Sequence, residues 1–123
     1  MIGGDFNEDP DKEPIIRMKE EFVSASAKCN NDKEPEFTTY KFSSKEPEGK
    51  VRTIDYVFYR QPESGYKIKP IGFLELPKRE NIFEEIGNPC VNYPSDHYSI
   101  GFEFQLWLDS ITNLFISTLL NPL

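Results

Sequence analysis

The sequence predicts an α/β chain, built mainly on one antiparallel or mixed sheet with flanking helices. Residues 52–59 hold Thr53, Ile54, Tyr56, Val57, Phe58 and Tyr59, β-branched and aromatic side chains that suit a pleated strand. Residues 99–106 alternate, with Ile100, Phe102, Phe104 and Leu106 on one face and Ser99, Gly101, Glu103 and Gln105 on the other. That is the period of a half-buried strand. Ile15, Ile16, Met18, Phe22 and Val23 instead recur at roughly helical spacing, with Arg17, Lys19 and Glu20 between them.

In chain order, Met1 to Asn7 read as the end of a buried strand that runs into a loop. Acidic, proline-bearing text follows. A short amphipathic helix is expected over residues 11–23, capped by Asp9 or Asp11, with Pro14 tolerable only in its first turn. Residues 28–36 read as a polar loop, 37–42 as a strand and 43–49 as a turn rich in Lys, Glu and Pro. After the strand at 52–59, residues 66–76 suggest another, interrupted by Pro70. Residues 77–92 read as a long loop with a helical turn near 81–86. The strand at 99–106 follows. Beyond it, Leu108, Ile111, Leu114, Phe115, Leu119 and Leu120 form an apolar helical stripe, so residues 107–123 are expected to be an amphipathic helix ended by Pro122.

Composition narrows the function classes. The net charge of −7 argues against a broad basic face that holds nucleic acid, while leaving room for local phosphate binding. Ten Phe, six Tyr and one Trp give core material to a chain that is 28% charged, so disorder is not expected. Cys29 and Cys90 have no metal-ligand spacing; free thiols and a cytoplasmic setting are expected. No signal peptide is expected, and no apolar run is long enough for a membrane span.

Polar residues gather where apolar strands end: Asp5 and Asn7, Asp55, and Asp96 with His97. Loops on a rigid sheet are where catalytic groups tend to sit. The chemistry that suits these residue types is attack of water on phosphorus, which needs a carboxylate for the water and donors for the developing charge. Asp5 suits the water, Asn7 a phosphate oxygen, and His97 the same phosphate as an imidazolium. Asp55 is the natural partner on the far ring nitrogen of His97, where a carboxylate fixes the tautomer. Asp96 is a hard oxygen ligand suited to magnesium. Each also has a plainer explanation: Asp and Asn shape turns, a lone His is often structural, and Lys41, Lys45, Lys50 and Arg52 suit either phosphate steering or a solvated hairpin.

The order Gly4-Asp5-Phe6-Asn7, then Ile54-Asp55-Tyr56, then Ser95-Asp96-His97, spaced by about fifty and about forty residues, resembles the C-terminal half of the endonuclease/exonuclease/phosphatase family. Phe37-Thr38-Thr39-Tyr40-Lys41 and the closing Asn92-Tyr93-Pro94 are similar to the nocturnin-like deadenylase group of that family. The resemblance implies half of a four-layer α/β sandwich over residues 1–106, with residues 107–123 outside the pattern. It implies a Mg2+-dependent hydrolase, Mn2+ being an alternative, acting on an RNA 3′ end or a nucleotide. By that likeness Asp5, Asn7, Asp55, Asp96 and His97 are catalytic, Asn7, Lys41 and His97 touch substrate, and Asp96 lies near the metal. Ser43 stands where the group has a second basic residue. The family's metal-binding Glu lies in the other half, so this chain is expected to be inactive alone. The alternative is a non-catalytic remnant that binds or regulates a partner. A sheet lacking its companion would expose an apolar face, with some of Ile54, Phe58, Phe102 and Phe104 on it, open to self-association or a protein partner.

Overall fold

The computed structural model describes residues 1–43, 45–63, 65–83 and 88–108. They form a mixed α/β arrangement with three short helices and antiparallel strand pairings, compatible with part of an α/β sandwich. The strands fall into three groups: β1 (Ile2–Asp5), β5 (Asp55–Tyr59) and β2 (Val23–Ser24) in the order β1-β5-β2, then β3 (Thr39–Ser43) with β4 (Glu46–Arg52), and β6 (Tyr66–Phe73) with β7 (Phe102–Leu108). Among the described residues no helix is long and apolar enough to cross a membrane.

The central strand β5 alternates as its sequence requires. Tyr56 and Phe58 are fully buried, and their rings stack with centroids 5.3 Å apart. Phe6 closes edge-on over both, and Ile15, Met18 and Phe22 complete the cluster. Burying one such side chain stabilises by about 1.5–3 kcal/mol. The Tyr56 hydroxyl is shared between the carbonyl oxygens of Thr53 at 2.7 Å and Glu8 at 3.0 Å. Burial, then the charges of Glu34 and Asp9, push its phenol well above the usual range. Of the four residues from which an exposed apolar face was expected, Ile54 and Phe58 are buried, Phe58 because helix and loop residues of this same chain cover β5, while Phe102 and Phe104 are half-buried. β1 is the reverse case, exposed along its length rather than buried, because it is an edge strand of its group.

Helix α1 spans Glu13–Glu21, shorter than the expected 11–23. Val23 leaves it to pair with Tyr59 in β2. Lys12 holds the N-cap position without a side-chain bond. The Asp9 and Asp11 carboxylates do not cap the helix, because Asp9 is held by Arg52 and Asp11 by Lys12. A second helix, α2 (Ala25–Cys29), occupies text expected to precede or open a loop. Ser24 caps it, accepting from the Ala27 amide at 3.3 Å and donating to Glu34 at 2.9 Å. Lys19 of α1 meets the same Glu34 carboxylate at 2.8 Å, so one buried acid ties both helices to the sheet.

The expected turn at 43–49 is shorter, since β4 already begins at Glu46. Gly49 has φ +80, and a Cβ there would lie 2.5 Å from the Tyr40 ring, so this strand position needs glycine. Pairing breaks between β4 and β5: Thr53 and Ile54 belong to neither strand, so the apolar run at 52–59 is a strand end followed by a second strand. In β6 the register slips between Pro70 and Gly72, the bulge that a proline inside a strand demands. Helix α3 (Arg79–Phe83) begins slightly ahead of the helical turn expected near 81–86. Trp107 and Leu108, expected to start the terminal helix, lie in β7, where they pair with Lys67 and Tyr66. The rest of that expected helix, 109–123, lies outside the described residues.

Candidate active site

The site forms where the β1-β5-β2 group meets the β3-β4 hairpin. Asp5 and Asp55 are register partners at the ends of β1 and β5. The segment carrying Asp96 and His97 reaches them by pairing with β3. The Tyr40 amide donates to the Asp96 carbonyl at 2.9 Å, and the Tyr98 amide donates to the Thr38 carbonyl at 2.8 Å. Thr39 and His97 thus face each other across an isolated antiparallel bridge. Tyr98 is buried and packs edge-on against Phe37 and Tyr93, which anchors the histidine segment from its far side.

His97 Nδ1 lies 3.1 Å from both carboxylate oxygens of Asp55. An ionised carboxylate only accepts, so Nδ1 carries the proton and Nε2 faces away from Asp55. Nε2 points toward Asp5, whose Oδ2 is 4.0 Å distant. That gap exceeds a hydrogen bond and suits a bridging water or oxygen. Asp5 also shapes its own loop, since Oδ1 accepts from the Asn7 amide at 2.8 Å. Asn7 adopts φ 56, a left-handed conformation that Asn tolerates better than most residues. Arg52 fixes the loop from outside, donating to the Asn7 carbonyl at 3.1 Å and to Asp9 at 3.0 Å.

Thr38 is the member of this cluster that the sequence did not single out. It is fully buried. Its hydroxyl donates to Asp55 Oδ2 at 2.7 Å and accepts from the amides of Ile54 and Asp55 at 3.0 and 3.1 Å. One side chain therefore satisfies two backbone groups left unpaired by the strand break and orients the carboxylate that holds His97. The only hint in the sequence was a pair of threonines preceding an aromatic residue.

A cavity of about 220 Å3 opens beside His97, lined among others by Asn7, Lys41, Lys50, Arg52 and Asp96. Lys41 and Lys50 are cross-strand register partners of β3 and β4, which places both cations on one wall. Lys41 lies 3.7 Å from Asp96 Oδ2. Of the suspected basic group, Lys41, Lys50 and Arg52 reach the cavity, while Lys45 is exposed in the connecting turn and is not in its lining. Asp5, Asn7, Asp55, Asp96 and His97 are thus brought to one region. A metal ion is less well provided for. Among the described residues no three His, Cys, Asp or Glu side chains converge on one point, Asp55 is turned to His97 and Thr38, and Asp96 faces Lys41. The donor set present does not by itself fit a magnesium site.

A carboxylate-held histidine beside an Asp-x-Asn loop is the arrangement that the resemblance to the endonuclease/exonuclease/phosphatase family implied. No family model matches the chain. It is 33% identical over 113 residues to Nocturnin of Xenopus laevis, covering 85% of this chain and 26% of that protein. It is 36% identical over 99 residues to Nocturnin of Drosophila melanogaster (78% and 14%) and 30% identical over 120 residues to Nocturnin of Homo sapiens (89% and 25%). The chain is therefore related to the nocturnin-like group of that family, and it spans about a quarter or less of the length of these relatives.

Proposed function

We propose that this chain carries the histidine half of a nocturnin-like phosphoester-hydrolase site, with an RNA 3′ end or a nucleotide as substrate. The observation that supports this best is His97, held through Nδ1 by Asp55 with Nε2 turned to Asp5 beside a cavity walled by Lys41, Lys50 and Arg52. In this reading the basic wall draws in a phosphate, Asn7 donates to one of its oxygens, and imidazolium His97 donates to another as charge develops. Asp5 orients and deprotonates the attacking water, for which the 4.0 Å gap leaves room. A Mg2+ or Mn2+ ion is part of the proposal, with Asp96 as the residue nearest to it in role. The described residues supply no complete ligand set, so no step is routed through it.

Because that ligand set is incomplete, we infer little or no hydrolysis by the chain alone. The second reading is a non-catalytic binding or regulatory partner, and the exposed apolar side chains of β6 and β7 favour it. Two free cysteines fit a reducing, cytoplasmic setting.

A magnesium-dependent hydrolysis assay separates these readings, run on the chain alone and together with the N-terminal half of a nocturnin relative. Little or no activity alone is expected. With the added half, activity should appear and fall by about 10²–10⁴ in His97→Ala. Robust cleavage by the chain alone, lost in His97→Ala, overturns the inferred inactivity. Activity that never appears, or that ignores His97→Ala, supports the non-catalytic partner instead.

A further inference from the structure

Arg52 borders the basic cavity, yet among the described residues the hydrogen bonds of its guanidinium go to the loop that carries Asn7. Nη2 donates to the Asn7 carbonyl at 3.1 Å, and Nε donates to the Asp9 carboxylate at 3.0 Å. The backbone of the same residue serves the other part of the site. Its carbonyl accepts from the Thr38 amide at 2.7 Å, and Arg52 is the register partner of Thr39. Thr38 holds Asp55, and Thr39 is bridged to His97. Arg52 therefore joins the support of His97, through its main chain, to the loop of Asn7, through its side chain.

We propose that Arg52 is a positioning residue, a brace that sets where the Asn7 carboxamide stands relative to His97, and that it works with Asp9 rather than by contacting the phosphate. The inference rests on the phosphate-site reading above and turns one cation of the basic wall from a contact into a support. Three observations carry it. The Asn7 carboxamide makes no hydrogen bond among the described residues, so only its backbone directs it. That backbone has φ 56, a left-handed conformation that persists where neighbours hold it, and Arg52 holds the carbonyl of that very residue. Asp9, finally, puts a negative charge beside a wall residue of a site for an anion, which by charge alone weakens binding. As the second anchor of the guanidinium fork it has a use there, because a planar fork tied at two points fixes the turn between them.

The test titrates the full chain with inorganic phosphate in magnesium-containing buffer, following the side-chain amide of Asn7 and the ring of His97 by NMR. Arg52→Lys keeps the charge but cannot bridge both acceptors. Affinity should fall about threefold to tenfold, the scale of one misplaced hydrogen-bond donor. The Asn7 amide should then ignore phosphate while His97 still responds, which also shows that the variant is folded. Asp9→Ala should weaken binding by a similar factor, although charge alone predicts the opposite sign. In an Asn7→Ala background Arg52→Lys should cost nothing further, because the brace acts through Asn7. Unchanged affinity in Arg52→Lys, tighter binding in Asp9→Ala, or additive losses in the double variant overturns the brace and leaves the phosphate-site reading standing. Should Arg52→Lys fail to fold, the sign of the Asp9→Ala effect decides. If phosphate shifts neither signal in the unaltered chain, the phosphate-site reading falls and the role of Arg52 falls with it.

Discussion

The β1-β5-β2 group and the β6-β7 ribbon are both antiparallel and both rich in aromatic residues, yet they differ in what covers them. In the first, Tyr56 and Phe58 have no exposed surface, because α1 and the Phe6 loop close over them. In the second, long register pairing from Tyr66–Leu108 to Phe73–Phe102 satisfies the backbone, but Leu106 keeps 62% of its surface exposed, Tyr66 55% and Phe73 50%. Hydrogen-bonded pairing and side-chain burial are separate achievements. Asp5 and Asp55 lie in the group that has both, and His97 is held to it through Asp55. That follows from what a site needs: His97 is held to a usable geometry only if Asp55, Thr38 and the strand beneath them cannot shift.

The contrast is broken most severely at Phe58. Phe58→Ala should cost about 3–5 kcal/mol, because the ring is fully buried between Tyr56, Phe6 and α1 and its removal leaves a cavity. Urea unfolding followed by circular dichroism measures it. A cost under about 1 kcal/mol would mean that this group is no better packed than the ribbon.

A smaller effect is expected at Thr38. Thr38→Val keeps the shape but leaves the buried amides of Ile54 and Asp55 without their acceptor, a loss of about 1–3 kcal/mol. It also frees Asp55 Oδ2, so the low-field Nδ1 proton of His97 in NMR spectra should broaden or shift. Thr38→Ser should restore both stability and resonance. If Thr38→Val destabilises without moving the His97 signal, Thr38 supports only the strand break and not the site.

The smallest effect sharpens the comparison from the other side. Leu106→Lys in β7 should change stability by no more than about 0.5 kcal/mol, since the side chain is mostly in water already. Sedimentation should show reduced self-association if the ribbon is an association surface. A loss of several kcal/mol would show that Leu106 is covered in solution.

Much of this was legible in the linear text. The order of Gly4-Asp5-Phe6-Asn7, Ile54-Asp55-Tyr56 and Ser95-Asp96-His97 picked out residues that the fold brings to one region, the β-branched and aromatic run at 52–59 marked a strand over part of its length, and the alternation at 99–106 marked one that begins later, at Phe102. The Asp55–His97 pairing followed from chemistry alone, since a histidine used for donation needs its other nitrogen held. Local pattern could not mark the break at Thr53 and Ile54, because β-branched and apolar residues look the same in a strand and beside one. It missed α2, whose five residues give too few turns for a visible helical period. It also assigned Trp107 and Leu108 to a helix, because an apolar run looks alike in a strand and on a helix face.

The sequence by itself determined which groups are available: one histidine, carboxylates placed at strand ends, and a chain negative overall with lysines clustered near residue 45. Only the tertiary structure decided their partners. Asp9 looks like a helix cap, but Arg52, distant in sequence, competes for it with a planar fork at 3.0 Å and wins, because a charge-assisted bond to a guanidinium outweighs a bond to one backbone amide. Lys41 and Lys50 become one wall through cross-strand register, while Lys45, between them in sequence, is turned out to solvent. Thr38 becomes a support for Asp55 through a contact that joins the residue just before β3 to the start of β5. Residue type fixes what a side chain can do, but long-range pairing of the backbone fixes what stands within 3 Å of it, and no local pattern carries that information.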